Sequence, residues 1–142
     1  MVSIVIDTNV FVSALRASAT SGGASRAVLR AALTGRFIPL FGTALWMEYE
    51  DLLSRPVWTD RTTHAERVEL LKALAAVGQW VTIYYGWRPN LLDEGGNHLV
   101  ELAIAGGAQA IVTFNVKDFG GGQLNWPQLR IVTPKQCLEV FS

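Results

Sequence analysis

The chain opens MVSIVIDTNVFV. Val2, Ile4, Val5 and Ile6 form a short, β-branched apolar run broken only by Ser3, which predicts a buried strand over residues 2–6. Residues 17–25 (ASATSGGAS) are small and polar and read as a loop. Val28, Leu29, Ala32 and Leu33 recur at helical spacing within 25–33, and Gly35 ends that helix. Residues 37–41 read as a second strand, where Pro39 favours an edge position or an irregular start. Gly42-Thr43 offers an N-cap to a helix with an apolar stripe of Leu45, Trp46, Tyr49, Leu52 and Leu53, stopped by Pro56. Thr62 or Thr63 caps the next helix, where Val68, Leu71, Leu74 and Ala75 mark one face as far as Gly78.

Beyond that point, residues 80–85 are β-rich and 91–96 read as a loop. A largely apolar helix follows over 97–105, closed by Gly106-Gly107. Residues 110–113 form another buried strand, 119–126 a loop with three consecutive glycines, and 129–132 a short strand. Pro134 opens a terminal helix at its favoured first position. Strands alternate with helices, and several strands are apolar on both faces. That pattern predicts an α/β fold with a mostly parallel sheet covered on both sides. Neither a repeat nor a linker is apparent, so residues 1–142 read as one domain.

Composition changes this picture little. Half of the residues are hydrophobic, which fits a compact globular chain, and no apolar run approaches a membrane span. The N-terminus shows no export leader, and the single cysteine, Cys137, fits a reducing cytoplasm. Basic and acidic residues number 12 each, which argues against a generic nucleic-acid coat. Arg16, Arg26, Arg30 and Arg36 face one acid, Asp7, in the first 36 residues, whereas Asp93, Glu94 and Glu101 gather without a nearby base. A local basic surface beside an acidic spot fits these counts, and so does an ordinary solvated mixture. Trp80, Tyr84, Tyr85 and Trp87 crowd one segment, with Trp46, Trp58 and Trp126 elsewhere; most of these aromatics are expected in the core.

Two strands end in polar signals: Asp7-Thr8-Asn9, and Thr113-Phe114-Asn115 with Lys117 and Asp118 just beyond. Ligands of open parallel sheets bind outside the carboxyl ends of the strands. If the two strands are neighbours, Asp7 and Asp118 come close, and a cation between them would offset their repulsion. An all-oxygen site of that kind suits Mg²⁺ or Mn²⁺. Taken singly, Asp7 also fits an N-cap, and Asn115 and Asp118 fit turn chemistry. Glu48 lies at one margin of its helix's buried stripe and Glu50 at the other, and spacing alone does not choose between them. Glu50 and Asp51 look like solvated helix acids. His64 and His98 have no partner at zinc spacing, and His98 reads as a capping or packing residue. Neither a dinucleotide fingerprint, nor a P-loop, nor a nucleophile elbow is present.

Three stretches in order, "IVIDTNVFVSAL", "MEYEDLLSRP" and "NHLVELAIAGGAQAIVTFNVKDF", resemble PIN-domain proteins, most closely the toxin components of toxin–antitoxin systems similar to the VapC toxins. The likeness runs from Val2 to "RIVTPKQCL". It implies a three-layer α/β/α sandwich and Mg²⁺- or Mn²⁺-dependent endoribonuclease chemistry. Carried onto this chain, it implies Asp7 and Glu48 as the first two acids, with Thr8, Asn9 and Asn97 in support. The acid expected just before Asn97 is Gly96 here, with Asp93 the candidate substitute. The position after "VTF" is Asn115, and Asp118 follows one turn later. The expected metal set is therefore Asp7, Glu48, Asp118 and Asp93, with Asn115 hydrogen-bonding to one of the acids. The implied partners are RNA, a cognate antitoxin and a second copy of the chain. Gly96 motivates an alternative, a degenerate PIN domain that binds RNA or protein without cutting. A phosphatase with Asp7 as nucleophile ranks behind both, because Asn9 stands where its second acid belongs.

Overall fold

The computed structural model describes residues 2–16, 23–55, 58, 62–83, 94–119 and 129–141, with backbone alone at 94–97. Within them five strands form one all-parallel sheet: β1 (Val2–Ile6), β2 (Phe37–Phe41), β3 (Gln79–Trp80), β4 (Ala110–Val112) and β5 (Arg130–Val132). Among the described residues six helices surround it: α1 (Thr8–Arg16), α2 (Gly23–Leu33), α3 (Thr43–Leu53), α4 (His64–Val77), α5 (Glu94–Ala105) and α6 (Pro134–Val140). Successive side chains of a strand point to opposite faces. Ile4, Val5 and Ile6 are all buried, as are Ala110, Ile111 and Val112, so helices cover both faces of the central strands. This is the expected α/β/α arrangement.

The strand order is β3-β2-β1-β4-β5. The chain steps outward from β1 through β2 to β3, then returns along α5 to place β4 on the other flank of β1. The order therefore reverses at the β1–β4 pair, where Ile6 sits opposite Val112. A crevice forms there because the connections leave the two strand ends in opposite directions.

Helix boundaries follow local chemistry. Thr63 caps α4 in a reciprocal pair with Glu66, and Thr133 caps α6 in the same way with Gln136, with Pro134 in the first turn. Gly42 is the N-cap of α3 and offers no side chain. α5 ends at Gly106-Gly107, where Gly107 takes φ +68°, open to glycine at no steric cost.

Some expectations shift. Pro39 does not lie at the edge of the sheet: β2 is flanked by β1 and β3. β3 pairs only with Leu40 and Phe41, so the first half of β2 has no β3 neighbour where the proline stands. The β-rich run from Trp80 yields a two-residue strand, and residues 81–83 leave the ladder after the Val81 amide bonds to the Phe41 carbonyl. Ala75 is exposed, and Arg67 takes its expected place in the buried face of α4. The Arg67 guanidinium lies over the Trp58 ring and bonds to the carbonyl and hydroxyl of Thr62, which offsets part of the cost of its burial. Trp80 is exposed, whereas Trp46 and Trp58 are half-buried. α2 begins at Gly23, so residues 23 and 24 are helical rather than loop. α5 begins at Glu94, a turn ahead of expectation, so Gly95 and Gly96 are helical. Tyr84, Tyr85, Trp87, Asp93, Trp126 and the glycines at 120–122 lie outside the described residues.

Gly78, between α4 and β3, is closely hemmed in by backbone. A Cβ there would lie 2.5 Å from the Pro39 carbonyl oxygen and 3.0 Å from that of Leu74. Both neighbours are backbone, so neither can rotate away. Gly78→Ala is therefore expected to destabilise the protein by about 1–3 kcal/mol, read as an earlier midpoint in urea unfolding with an unchanged slope.

Candidate active site

β1 delivers Asp7 and β4 delivers Thr113 to the same end of the sheet. The Asp7 amide bonds to the Val112 carbonyl and the Thr113 amide to the Val132 carbonyl, so both backbones are fixed by the ladder. The Thr113 hydroxyl donates to Asp7 Oδ2 at 2.8 Å. The same Thr113 oxygen accepts from the Asn115 amide at 3.0 Å. Asn9, in the first turn of α1, reaches Asp7 Oδ2 and Thr113 Oγ1 through Nδ2, each at 3.4 Å. Its Oδ1 accepts from the Phe114 amide. Asp7 precedes α1, and its carbonyl starts the helix by accepting from the Val10 amide.

The second acid comes from α3. Tyr49 is fully buried, and its hydroxyl donates to the Ile6 carbonyl at 2.8 Å. Its ring meets Phe11 and Phe41 edge to face. Burial, with the charges of Asp7 and Glu48 adding to it, holds the Tyr49 phenol well above its usual pKa, so it remains a donor. This bond ties α3 to the last residue before Asp7, and it carries the adjacent Glu48 with it. Thr8 Oγ1 donates to Glu48 Oε1 at 2.8 Å and lies 3.5 Å from Asp7 Oδ1. One hydroxyl therefore stands between the two carboxylates. His98 of α5 holds the other Glu48 oxygen, with Nε2 2.9 Å from Oε2.

The two acids have opposite electrostatics. Burial raises the pKa of Asp7; the Thr113 hydrogen bond opposes this, the charge of Glu48 adds to it, and the Thr8 amide and His98 oppose it. Glu48 is held below the usual carboxylate value, first by the His98 hydrogen bond, against burial, and then by Thr8, His98 and Arg55. Charge on Asp7 is thus disfavoured by burial and by Glu48, whereas charge on Glu48 is favoured by its partners.

Asn115 and Asp118 follow β4 but point less directly at this pair. Asn115 is exposed and contributes its amide to Thr113. Asp118 lies in the short 3-10 turn Val116–Phe119, exposed, with its amide on the Asn115 carbonyl. Adjacent strands do bring the two polar ends together, but the side chain that meets Asp7 is Thr113 rather than Asp118. The turn carries residues 116–119 past the strand end. Among the described residues, no group of three or more His, Cys, Asp or Glu side chains gathers where a metal ion could sit. Asp93 and the side chain of Asn97 are outside those residues.

Residues 3–117 match the family of PIN domains. The chain belongs to the PIN-domain family. PIN domains are generally nucleases and typically bind divalent metals. Comparison with curated proteins gave no match. Two carboxylates beside the Thr8 and Thr113 hydroxyls offer hard oxygen donors of the kind Mg²⁺ and Mn²⁺ take. A cation that keeps several waters is satisfied by one or two carboxylates. Asp7 and Glu48 are the acids of this PIN domain that would hold such an ion.

Two contributors carried no signal in the pattern, Tyr49 and His98: Tyr49 belonged to an apolar stripe, and His98 had no spaced partner. Thr113 stood in a polar strand end, but nothing in the pattern marked it as the partner of Asp7. Glu50 and Asp51 are exposed, as expected of solvated acids, and Asp51 pairs with Arg55.

The opposite shifts give opposite stability effects. Asp7 has a raised folded pKa, so its contribution to folding is full in acid and is lost as pH rises through that value. Glu48 has a depressed folded pKa, so its contribution is present at neutral pH and is lost as pH falls through that value. In metal-free protein, Asp7→Asn is expected to raise the melting temperature by a few degrees at neutral pH and to do nothing in strong acid. Glu48→Gln is expected to lower it at neutral pH, with the difference vanishing in acid. Thermal melts in EDTA across the carboxylate range check both signs.

Proposed function

We propose that this PIN domain is a divalent-metal-dependent endoribonuclease that hydrolyses RNA phosphodiester bonds and leaves a 5′-phosphate. The observation that carries the reading is Asp7 and Glu48 sharing the Thr8 hydroxyl at the switch point of a parallel sheet. Two acids so close in a half-buried crevice repel, and a dication relieves that repulsion. Mg²⁺ or Mn²⁺, when bound there, supplies Lewis acidity toward a phosphate oxygen and a water of lowered pKa.

The chain's own residues do the rest. Thr113 and Asn9 hold the Asp7 carboxylate in one orientation, and the ladder beneath keeps it rigid. Glu48 is the more exposed acid, with 41% of its side chain accessible, and is placed to orient a water or share the cation. Asp118 completes the cation site or positions water once RNA is bound, and Asn115 hydrogen-bonds to one of these acids. Asp93 substitutes for the acid absent at Gly96, and Asn97 supports the same end of α5. Within this reading the protein acts as a cytoplasmic homodimer, the toxin of a toxin–antitoxin pair, held down by a cognate antitoxin protein. The ordered resemblance of its three motifs supports that role. No helix among the described residues is long and apolar enough to cross a membrane. The family match does not favour the non-cutting alternative raised by Gly96.

Purified protein is expected to cut RNA with Mg²⁺ or Mn²⁺ and to stop in EDTA. Asp7→Asn is expected to lower kcat on the order of a hundredfold or more, as loss of a charge-stabilising group does. Cleavage of a labelled RNA with 5′-end analysis of the products measures both. Equal cutting in EDTA would sink the proposal.

A further inference from the structure

We propose that His98 is a positioning residue for Glu48, fixing the carboxylate so that it faces the cation site shared with Asp7. The inference rests on the metal-dependent reading above and goes beyond it in assigning the second anchor. A glutamate on a helix surface has three side-chain torsions, and a single hydrogen bond leaves its carboxylate free to swivel about that contact. Here the two oxygens are held separately: Oε1 by the Thr8 hydroxyl at 2.8 Å and Oε2 by His98 Nε2 at 2.9 Å. The two anchors come from different elements, α1 and α5, so together they set the plane of the carboxylate. An ionised carboxylate oxygen only accepts, so Nε2 is the nitrogen that carries the hydrogen.

The His98 support is itself rigid. α5 packs against β1, β2, β4 and α3, and the neighbours of His98 in sequence, Leu99 and Val100, are buried in the core. The other ring nitrogen, Nδ1, is buried with no hydrogen-bond partner among the described residues. The recorded polar contact of this half-buried ring is therefore Glu48, at a site where burying a ring nitrogen without a partner is unfavourable. The resemblance places an acid on this helix at Gly96, and the described contribution of α5 to the site is instead a donor. Partners that orient a metal-binding carboxylate typically change metal affinity tenfold to a hundredfold when removed.

The test compares His98→Leu, which keeps bulk and removes the donor, with His98→Gln, whose amide N–H can replace Nε2–H. Mn²⁺ affinity is measured by calorimetry without RNA, and kcat and KM are measured separately with RNA. Expected is a loss of Mn²⁺ affinity of about tenfold to a hundredfold in His98→Leu, a fall in kcat with little change in KM for RNA, and recovery of both in His98→Gln. In a Glu48→Gln background, His98→Leu should cause no further loss, because the two act as a unit. His98→Ala, checked by thermal melting, replaces His98→Leu if the latter does not fold. Parent-like Mn²⁺ binding in folded His98→Leu or His98→Ala would overturn the inference and leave the nuclease reading standing. So would additive losses in the double variant, or His98→Gln behaving like His98→Leu. A parent protein that neither binds Mn²⁺ nor cuts RNA would remove the nuclease reading and the inference with it.

Discussion

The hydrogen bond from Thr113 to Asp7 is the contact on which the site depends. A carboxylate that is nine-tenths buried is expensive to ionise, and water contributes little at that position. The Thr113 hydroxyl replaces part of that lost hydration at 2.8 Å. It can do so because β1 and β4 lie side by side in register, with Ile6 opposite Val112. The sheet spends its most buried strand pair on holding one acid at a fixed point. Asn9 and the Asn115 amide then fix the threonine, so the acid's partner is as constrained as the acid.

The second acid is placed by a different device. Glu48 is not part of the sheet, and its position follows from its neighbour. Tyr49 plants its hydroxyl on the Ile6 carbonyl inside an aromatic cluster of Phe11 and Phe41. Core packing and site geometry are thus one structure: the ring that fills the interior also sets the distance between the two carboxylates. The resulting asymmetry has chemical content. Asp7 resists ionisation because of burial, whereas Glu48 ionises readily because His98 and Thr8 donate to it. Each Glu48 oxygen accepts from one protein donor, so each keeps a lone pair that a cation can use. Cys137, by contrast, is buried with its pKa pushed up to about 11, and is an inert core thiol.

Several outcomes show where pattern and structure part. Pro39 was legible as a break in β-pairing but not as an interior position, because proline only reports the missing donor on one side of its strand. Arg67 replaced Ala75 on the buried face of α4, since a guanidinium stacked on Trp58 and bonded to Thr62 tolerates burial that periodicity assigns to small apolar residues. The early start of α5 ran against the low helix propensity of Gly95-Gly96, and tertiary packing of the helix outweighs that local preference.

The sequence by itself determined the alternation of strands and helices apart from α1, the parallel sheet and the identity of Asp7 as a polar residue ending a buried strand. These follow from periodicity and composition, which act over a few residues and need no knowledge of neighbours in space. Glu48 over Glu50 came from family likeness, since helical spacing placed both at a margin of the stripe. Only the tertiary structure decided that Thr113 meets Asp7, that Tyr49 fastens α3 to β1, and that His98 grips Glu48. Those contacts join residues separated by 106, 43 and 50 positions. The strand order and helix packing bring them together, and no local pattern records which distant hydroxyl or imidazole will arrive.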